Sequence, residues 1–338
     1  MRQYLIFYTL FFLIIGCSDD SVIESPQPIP SEEFSPIISD IESGVYGDTH
    51  SLIVYSQGER LVENYFEGFN SDSLHYMYSV TKSVASMAVG IALDEGLIES
   101  LDTRLLDLFP EYEGSIDALD NRKSEITIED VLTMSAGFQW DEWTYSYLDS
   151  RNDANQLIQD GDMIKAVLDL PMAHEPGSVY RYNSGLSIML GGIIKQVSGQ
   201  NIEEYLTEKL FRPLGISRWR WERGFSDLDN INSGWGLHLL PRDMEKLGRL
   251  FLNEGEWQGE MLIDADWVKA STANQISNYG YQWWISNDFY SARGWGGQMI
   301  IVYPSRDLVI VTTAGNFNGN PAGLRIADEV ISILDQER

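Results

Sequence analysis

Cysteine is all but missing from this 338-residue chain: Cys17 stands alone, so no disulfide can form within it. Basic side chains are scarce as well, 23 against 51 acidic ones, and the formal net charge of -28 comes with no polybasic run. A surface of that sign repels nucleic acid and the anionic leaflet of a membrane, which removes nucleic acid from the possible partners. Histidine is limited to His50, His75, His174 and His238, none of which has a ligand partner at metal spacing, and there is no His-Glu-x-x-His helix. The Gly-x-Ser-x-Gly elbow of many hydrolases is absent too. Low-complexity tracts are lacking. With 43% hydrophobic and 22% charged residues, the chain has the composition of a globular protein, long enough for one large catalytic unit or two domains sharing an interface.

One long apolar run is present, and it lies at the start. In MRQYLIFYTLFFLIIGC, residues 1–17, Arg2 precedes a stretch from Tyr4 to Ile15 that is too short to span a bilayer as a mature helix and reads as a signal segment. Its end, Ile14-Ile15-Gly16-Cys17, resembles a bacterial lipobox, which makes Cys17 the expected lipid attachment site of an exported, membrane-anchored protein on the periplasmic or cell-surface side. Residues 18–36, rich in Ser, Pro and acids, cannot offset the entropy of ordering themselves and are expected to be a tether.

Beyond the tether, SLIVYS from Ser51 and LVENYF from Leu61 alternate around a turn at Gly58, a hairpin signal. Apolar residues at helical spacing follow from Thr81 to Leu93, Ile128 to Thr133, Met163 to Leu168, Gly185 to Val197 and Asp243 to Leu252. Strand character returns in YGYQWWI from Tyr279, QMIIVY from Gln298 and LVIVTTA from Leu308, before a last amphipathic helix from about Gly323 to Leu334. Strands at both ends with helices between predict a discontinuous sheet domain, about 37–75 and 276–338, interrupted by an all-helical domain, about 76–275.

Three local patterns carry chemistry. Ser79-Val80-Thr81-Lys82 is the sole Ser-x-x-Lys of the chain and opens a helix, so Lys82 projects one turn from Ser79 on the same face. A helix N-terminus offers Ser79 unpaired N–H groups, and a desolvated lysine can accept the hydroxyl proton. Alone the pattern arises about once by chance in a chain of this size. The second is a Pro176-Gly177 turn leading through Tyr180 and Tyr182-Asn183-Ser184 into a helix; a tyrosine whose pKa a nearby lysine lowers can act as base and then as acid. The third is Arg293-Gly294-Trp295-Gly296-Gly297-Gln298, where glycines beside a strand mark a close backbone approach and an N–H can pair with that of Ser79 to hold an oxyanion.

In this order the three resemble the motifs of the serine beta-lactamase and penicillin-binding-protein superfamily, and more closely its class C-type esterase and amidase branch. ITIEDVLTMSAGFQW from Ile126 and GLHLLPRDMEKLGRLFLNEGEWQGE from Gly236 are similar as well. The resemblance implies an α+β beta-lactamase-like fold with the site between the sheet and helical domains, and no metal or cofactor. By position it implies Ser79 as nucleophile, Lys82 and Tyr182 as the proton-transfer pair, and the N–H groups of Ser79 and Gln298 as the oxyanion hole. Ser184, Arg293, Trp295, Gly296 and Gly297 become the expected substrate-binding residues.

The third motif departs from the relatives. Trp295 occupies the place of a cationic or imidazole side chain that holds a substrate carboxylate, and strand alternation would put Arg293 about 7 Å away. The expected substrate is therefore a small neutral ester or amide; a beta-lactam or D-alanyl peptide and a non-catalytic binding role are the alternatives. The Trp-Gly-Gly-Gln form and TMSAGFQWDE, from Thr133 to Glu142, more closely resemble the 6-aminohexanoate-dimer hydrolase type and related esterases, and the aromatic loop from Phe138 to Tyr147 is a candidate wall for an acyl pocket.

Overall fold

The computed structural model describes residues 32–336 apart from 117–119, 160, 224–230 and 320–321. Cys17 and the signal segment lie outside that range. The first hairpin pairs β1 (Thr49–Ser56) with β2 (Glu59–Tyr65) and turns at Gln57 and Gly58, whose φ values of 51° and 86° give the reversed twist that a tight hairpin needs. Four strands from the other end of the chain complete the sheet: β3 (Trp284–Ile285), β4 (Tyr290–Gly294), β5 (Gln298–Tyr303) and β6 (Leu308–Ala314). The order is β2-β1-β6-β5-β4-β3, every neighbour antiparallel, with β1 closing on β6 through pairs such as Ile53↔Val311.

Both faces of the sheet are covered, which is why β5 and β6 read as continuous apolar runs rather than alternating ones. Leu52, Val54, Ile301 and Ile310 pack against Phe34, Ile37 and Ile41 around α1 (Ser35–Glu42) and against Ile326 and Val330 of the C-terminal helix. On the other face, Ile53, Ile300, Val309 and Val311 join the main core with α2 (Val80–Asp94) and the helix Pro241–Leu252. The long helix α3 (Ser184–Ser198) packs against α2 in the helical part. The fold is α+β, as expected.

The structure corrects three details of the sequence reading. Residues 32–36 are not tether: Glu32–Phe34 form a 3-10 turn, α1 starts at Ser35, and Phe34 is buried under the sheet. The helix Pro241–Leu252 falls within the expected helical domain but packs on β1, β5 and β6, where Gly248 allows it so close that a Cβ there would sit 2.6 Å from Val309. The segment from Tyr279 is strand only at Trp284–Ile285. Gln282 breaks it with a φ of 65°, and its buried side chain donates to the carbonyls of Val131 and Leu132 and accepts from Ser187.

Candidate active site

Ser79 sits where the chain enters α2. Tyr78 before it holds a φ of 46°, a strained value for a bulky residue, and turns the backbone sharply into the helix. Ser79 takes the N-cap place but makes no capping bond, so its hydroxyl remains uncommitted to the helix. That hydroxyl interacts with the phenol of Tyr182. Tyr182 is buried by Trp143, Tyr279 and Trp284, whose ring centroids lie 5.1, 6.3 and 5.7 Å away. Burial, reinforced by Tyr147 and Glu142, holds the phenol well above its ordinary pKa, while Ser79 pulls it down more weakly. The lowered pKa expected from the sequence is thus reversed: resting Tyr182 is a neutral phenol. Tyr180, the other tyrosine of this loop, keeps its hydroxyl buried without a hydrogen-bond partner among the described residues.

Lys82 lies one turn into α2 and is 1% exposed. Its ammonium donates to Ser184 Oγ at 2.9 Å and to the Gly234 carbonyl at 2.7 Å, 5.3 Å from the Tyr182 ring centre. Desolvation lowers its pKa to about 8, against an opposing pull from Glu142. Asn183 caps α3 by accepting from the N–H groups of Gly185 and Leu186, and this fixes Ser184 at the first turn facing Lys82.

The third motif folds differently from a strand. Residues 295–297 form the turn between β4 and β5, with φ values of 84° at Gly296 and 107° at Gly297, so strand alternation does not relate Arg293 to Trp295. The backbone that closes on the chain just before Ser79 is that of Gly294: a Cβ there would lie 2.2 Å from the Met77 carbonyl, and Gly294 lines a cavity with Ser79. Gln298 is not brought to the site. It pairs with Gly294 in the sheet, and its side chain donates to the carbonyls of Ala314 and Trp295 and accepts from Ala314 N–H.

Two cavities meet at Ser79, Tyr147 and Trp295. The smaller, about 140 Å³, is walled by Tyr76, Tyr78, Ile158 and Trp235 and also touches Ser184 and Glu142. The larger, about 390 Å³, is walled by Trp143, Tyr182, Trp284 and Arg293. Trp295 packs 5.5 Å from Tyr147 and 4.8 Å from Phe317, forming part of the ridge between them. Arg293 bonds Ser291 Oγ through Nε at 2.8 Å and lies over Trp284, and among the described residues it forms no ion pair. No histidine lines either cavity.

Sequence reasoning overlooked Glu142, Gly234 and Trp235. An acid set among aromatics, as in Trp140-Asp141-Glu142-Trp143, was a readable signal for the first; a backbone carbonyl supplied from a distant loop has none.

The chain matches the beta-lactamase family over residues 44–334, a span that holds every residue just placed. It belongs to that family. With the family comes the reaction class: the chain is a serine hydrolase of the esterase and amidase kind. A 6-aminohexanoate-dimer hydrolase of Paenarthrobacter ureafaciens is 25% identical to this hydrolase over 294 residues, covering 78% of this chain and 71% of that one. Among solved structures, a family VIII carboxylesterase superposes with a TM-score of 0.70 at 18% identity, covering 91% of this chain and 99% of the other. A penicillin-binding protein homologue from Pyrococcus abyssi does so with a TM-score of 0.70 at 18% identity, covering 90% of this chain and 76% of the other. At these identities the two structures speak for the fold.

Proposed function

We propose that this hydrolase cleaves small neutral esters or amides through an acyl intermediate on Ser79. The observation that carries the reading is the setting of that hydroxyl: uncommitted at a helix start, against a neutral phenol, one turn from a buried amine, at the junction of two cavities. Ser79 Oγ attacks the substrate carbonyl carbon while its proton moves by way of the Tyr182 hydroxyl to Lys82, the one neighbour with a pKa near neutrality. Neutral Lys82 keeps its two N–H donors on Ser184 and Gly234 and takes the proton on its lone pair. The N–H of Ser79 holds the oxyanion, and Trp295, at the turn beside Gly294, replaces Gln298 as the second donor. The proton returns to the leaving group, and water then releases the acyl group by the same route in reverse.

A neutral acyl group suits the smaller cavity, which is aromatic on most sides and whose acidic group, Glu142, would repel an anion. Arg293 carries a second reading. As a guanidinium without an acid among the described residues, on the wall of the larger cavity, it offers a place for a substrate carboxylate. Matched esters with and without a terminal carboxylate, together with a penicillin, separate the two. The neutral ester is expected to lead in kcat/KM by about ten- to hundred-fold, the worth of one charge-assisted hydrogen bond, and Trp295→Lys to narrow the gap. A wild-type preference for the carboxylate ester that Arg293→Ala abolishes would overturn the first reading and establish the second.

We also propose that the protein is exported and anchored through lipid on Cys17, supported by the lipobox-like end of the apolar run. In a bacterial host the chain should partition with membranes, and Cys17→Ser should leave it unprocessed or unanchored. A native chain recovered in the soluble fraction with a free N-terminus other than Cys17 would refute the anchor.

A further inference from the structure

Glu142 is 2% exposed and saturated with donors. One carboxylate oxygen accepts from the Trp140 indole at 2.9 Å and the Ser184 N–H at 2.8 Å; the other accepts from the Tyr147 hydroxyl at 2.8 Å and the Ser184 hydroxyl at 2.5 Å. Because Ser184 Oγ in turn accepts from Lys82, the carboxylate and the amine are joined by a single shared hydroxyl. The loop that carries Glu142 is fixed from behind, by Asn152 donating to the carbonyls of Glu142 and Tyr145 and by Asn155 donating to that of Tyr147.

A buried carboxylate with four donors and a buried amine one hydroxyl away form a charge pair cut off from water, and removing either member leaves the other uncompensated. The ionisable groups around the pair are Tyr147 on the same loop, Tyr180 and Tyr182 ahead of α3, Tyr279 ahead of β3, and Asp153 on the helix Asp153–Ile158. Burial holds the four tyrosines neutral at working pH. Asp153 accepts from the Asp141 N–H, and it is Glu142 whose charge acts on Lys82. Glu142 is therefore the anion that faces Lys82.

We propose that Glu142 is a positioning residue that acts through the Ser184 hydroxyl to hold Lys82 protonated and parked, and so sets the pH at which the hydrolase switches on. The inference rests on the reading of Lys82 as the proton acceptor. The sign follows from that role. Lys82 accepts a proton only when neutral; Glu142 favours its charged form; loss of the carboxylate therefore moves the onset of activity to lower pH.

The experiment is the pH profile of kcat/KM on a short neutral aryl ester, measured for the full chain and for Glu142→Gln, Glu142→Asp and Ser184→Ala, with thermal unfolding of each. In Glu142→Gln the rising limb should move down by about one pH unit, the smaller end of the effect of a nearby opposite charge. Activity on the acid side, as a fraction of the plateau, then rises about ten-fold. Glu142→Asp should restore the limb toward the wild-type position, and Ser184→Ala should move it the same way as Glu142→Gln. A lowered plateau with an unmoved limb in Glu142→Gln would reduce Glu142 to a packing role and overturn the proposal. An unmoved limb in Ser184→Ala would overturn the route through the hydroxyl, and it decides the matter if Glu142→Gln does not fold. Ser79→Ala is the control on the underlying reading: if that variant still hydrolyses the ester the acyl-enzyme reading fails, whereas an inactive Ser79→Ala with unmoved limbs sinks only the role of Glu142.

Discussion

Ser79→Ala is expected to lower kcat/KM by at least about a thousand-fold, because the hydroxyl, amine and phenol act as one unit and removing the nucleophile disables all three. The substitution should cost the fold little. Ser79 supplies no side-chain cap to α2, so the helix loses no hydrogen bond with the oxygen. A fluorophosphonate should add mass to the peptide containing Ser79 in the wild type and to no peptide in the variant. Unchanged labelling of Ser79→Ala would mean that another hydroxyl is the nucleophile and that the two cavities meet at Ser79 by coincidence.

The second large effect concerns Lys82. Below pH about 8 its amine carries a proton and cannot take another, so wild-type kcat/KM should climb as pH passes through about 8. Lys82→Met keeps the length and apolar stem of the side chain and removes the acceptor. The expected loss is on the order of a hundred- to ten-thousand-fold, the scale of a positioned proton acceptor, and the limb near pH 8 should vanish with it. A variant that keeps that limb would assign it to another group. Tyr182 is the least suited of the neighbours to replace it, since burial holds the phenol neutral far above that range.

The two substitutions differ in how readable their reasons were. Ser79 and Lys82 come together through helix geometry alone, since three residues always return to one face, and a pattern four letters long is enough to state it. The same holds for Gln298–Tyr303 and Leu308–Ala314, where buried strands leave unbroken apolar runs with the bounds that the structure has. The joint order of the three motifs was likewise readable, and with it the family.

Other features depended on contacts between segments far apart in sequence. A strand continuing from Tyr279 fits its aromatic composition, yet Gln282 is spent on carbonyls at residues 131 and 132, about 150 positions earlier, and the backbone turns to serve them. The third motif reads as strand through Trp295, but Gly296 and Gly297 adopt φ values open to glycine and fold it into a turn, which brings Arg293 and Trp295 onto one cavity and takes Gln298 out of it. The proton state of Tyr182 inverts because desolvation by Trp143, Tyr279 and Trp284 outweighs anything its sequence neighbours supply.

By itself, then, the sequence determined what local geometry controls: the serine and lysine on one helical face, the hairpin at Gly58, the two central strands and the beta-lactamase family to which their order belongs. Tertiary structure alone decided the partners and charge states at the site: Glu142 bonded to Ser184, Gly234 beneath Lys82, a neutral Tyr182, and Arg293 without an acid among the described residues. Hydrogen bonds and desolvation act through space, and for a buried group the segments that surround it, from residues 76 to 324 here, set its chemistry more strongly than its neighbours along the chain.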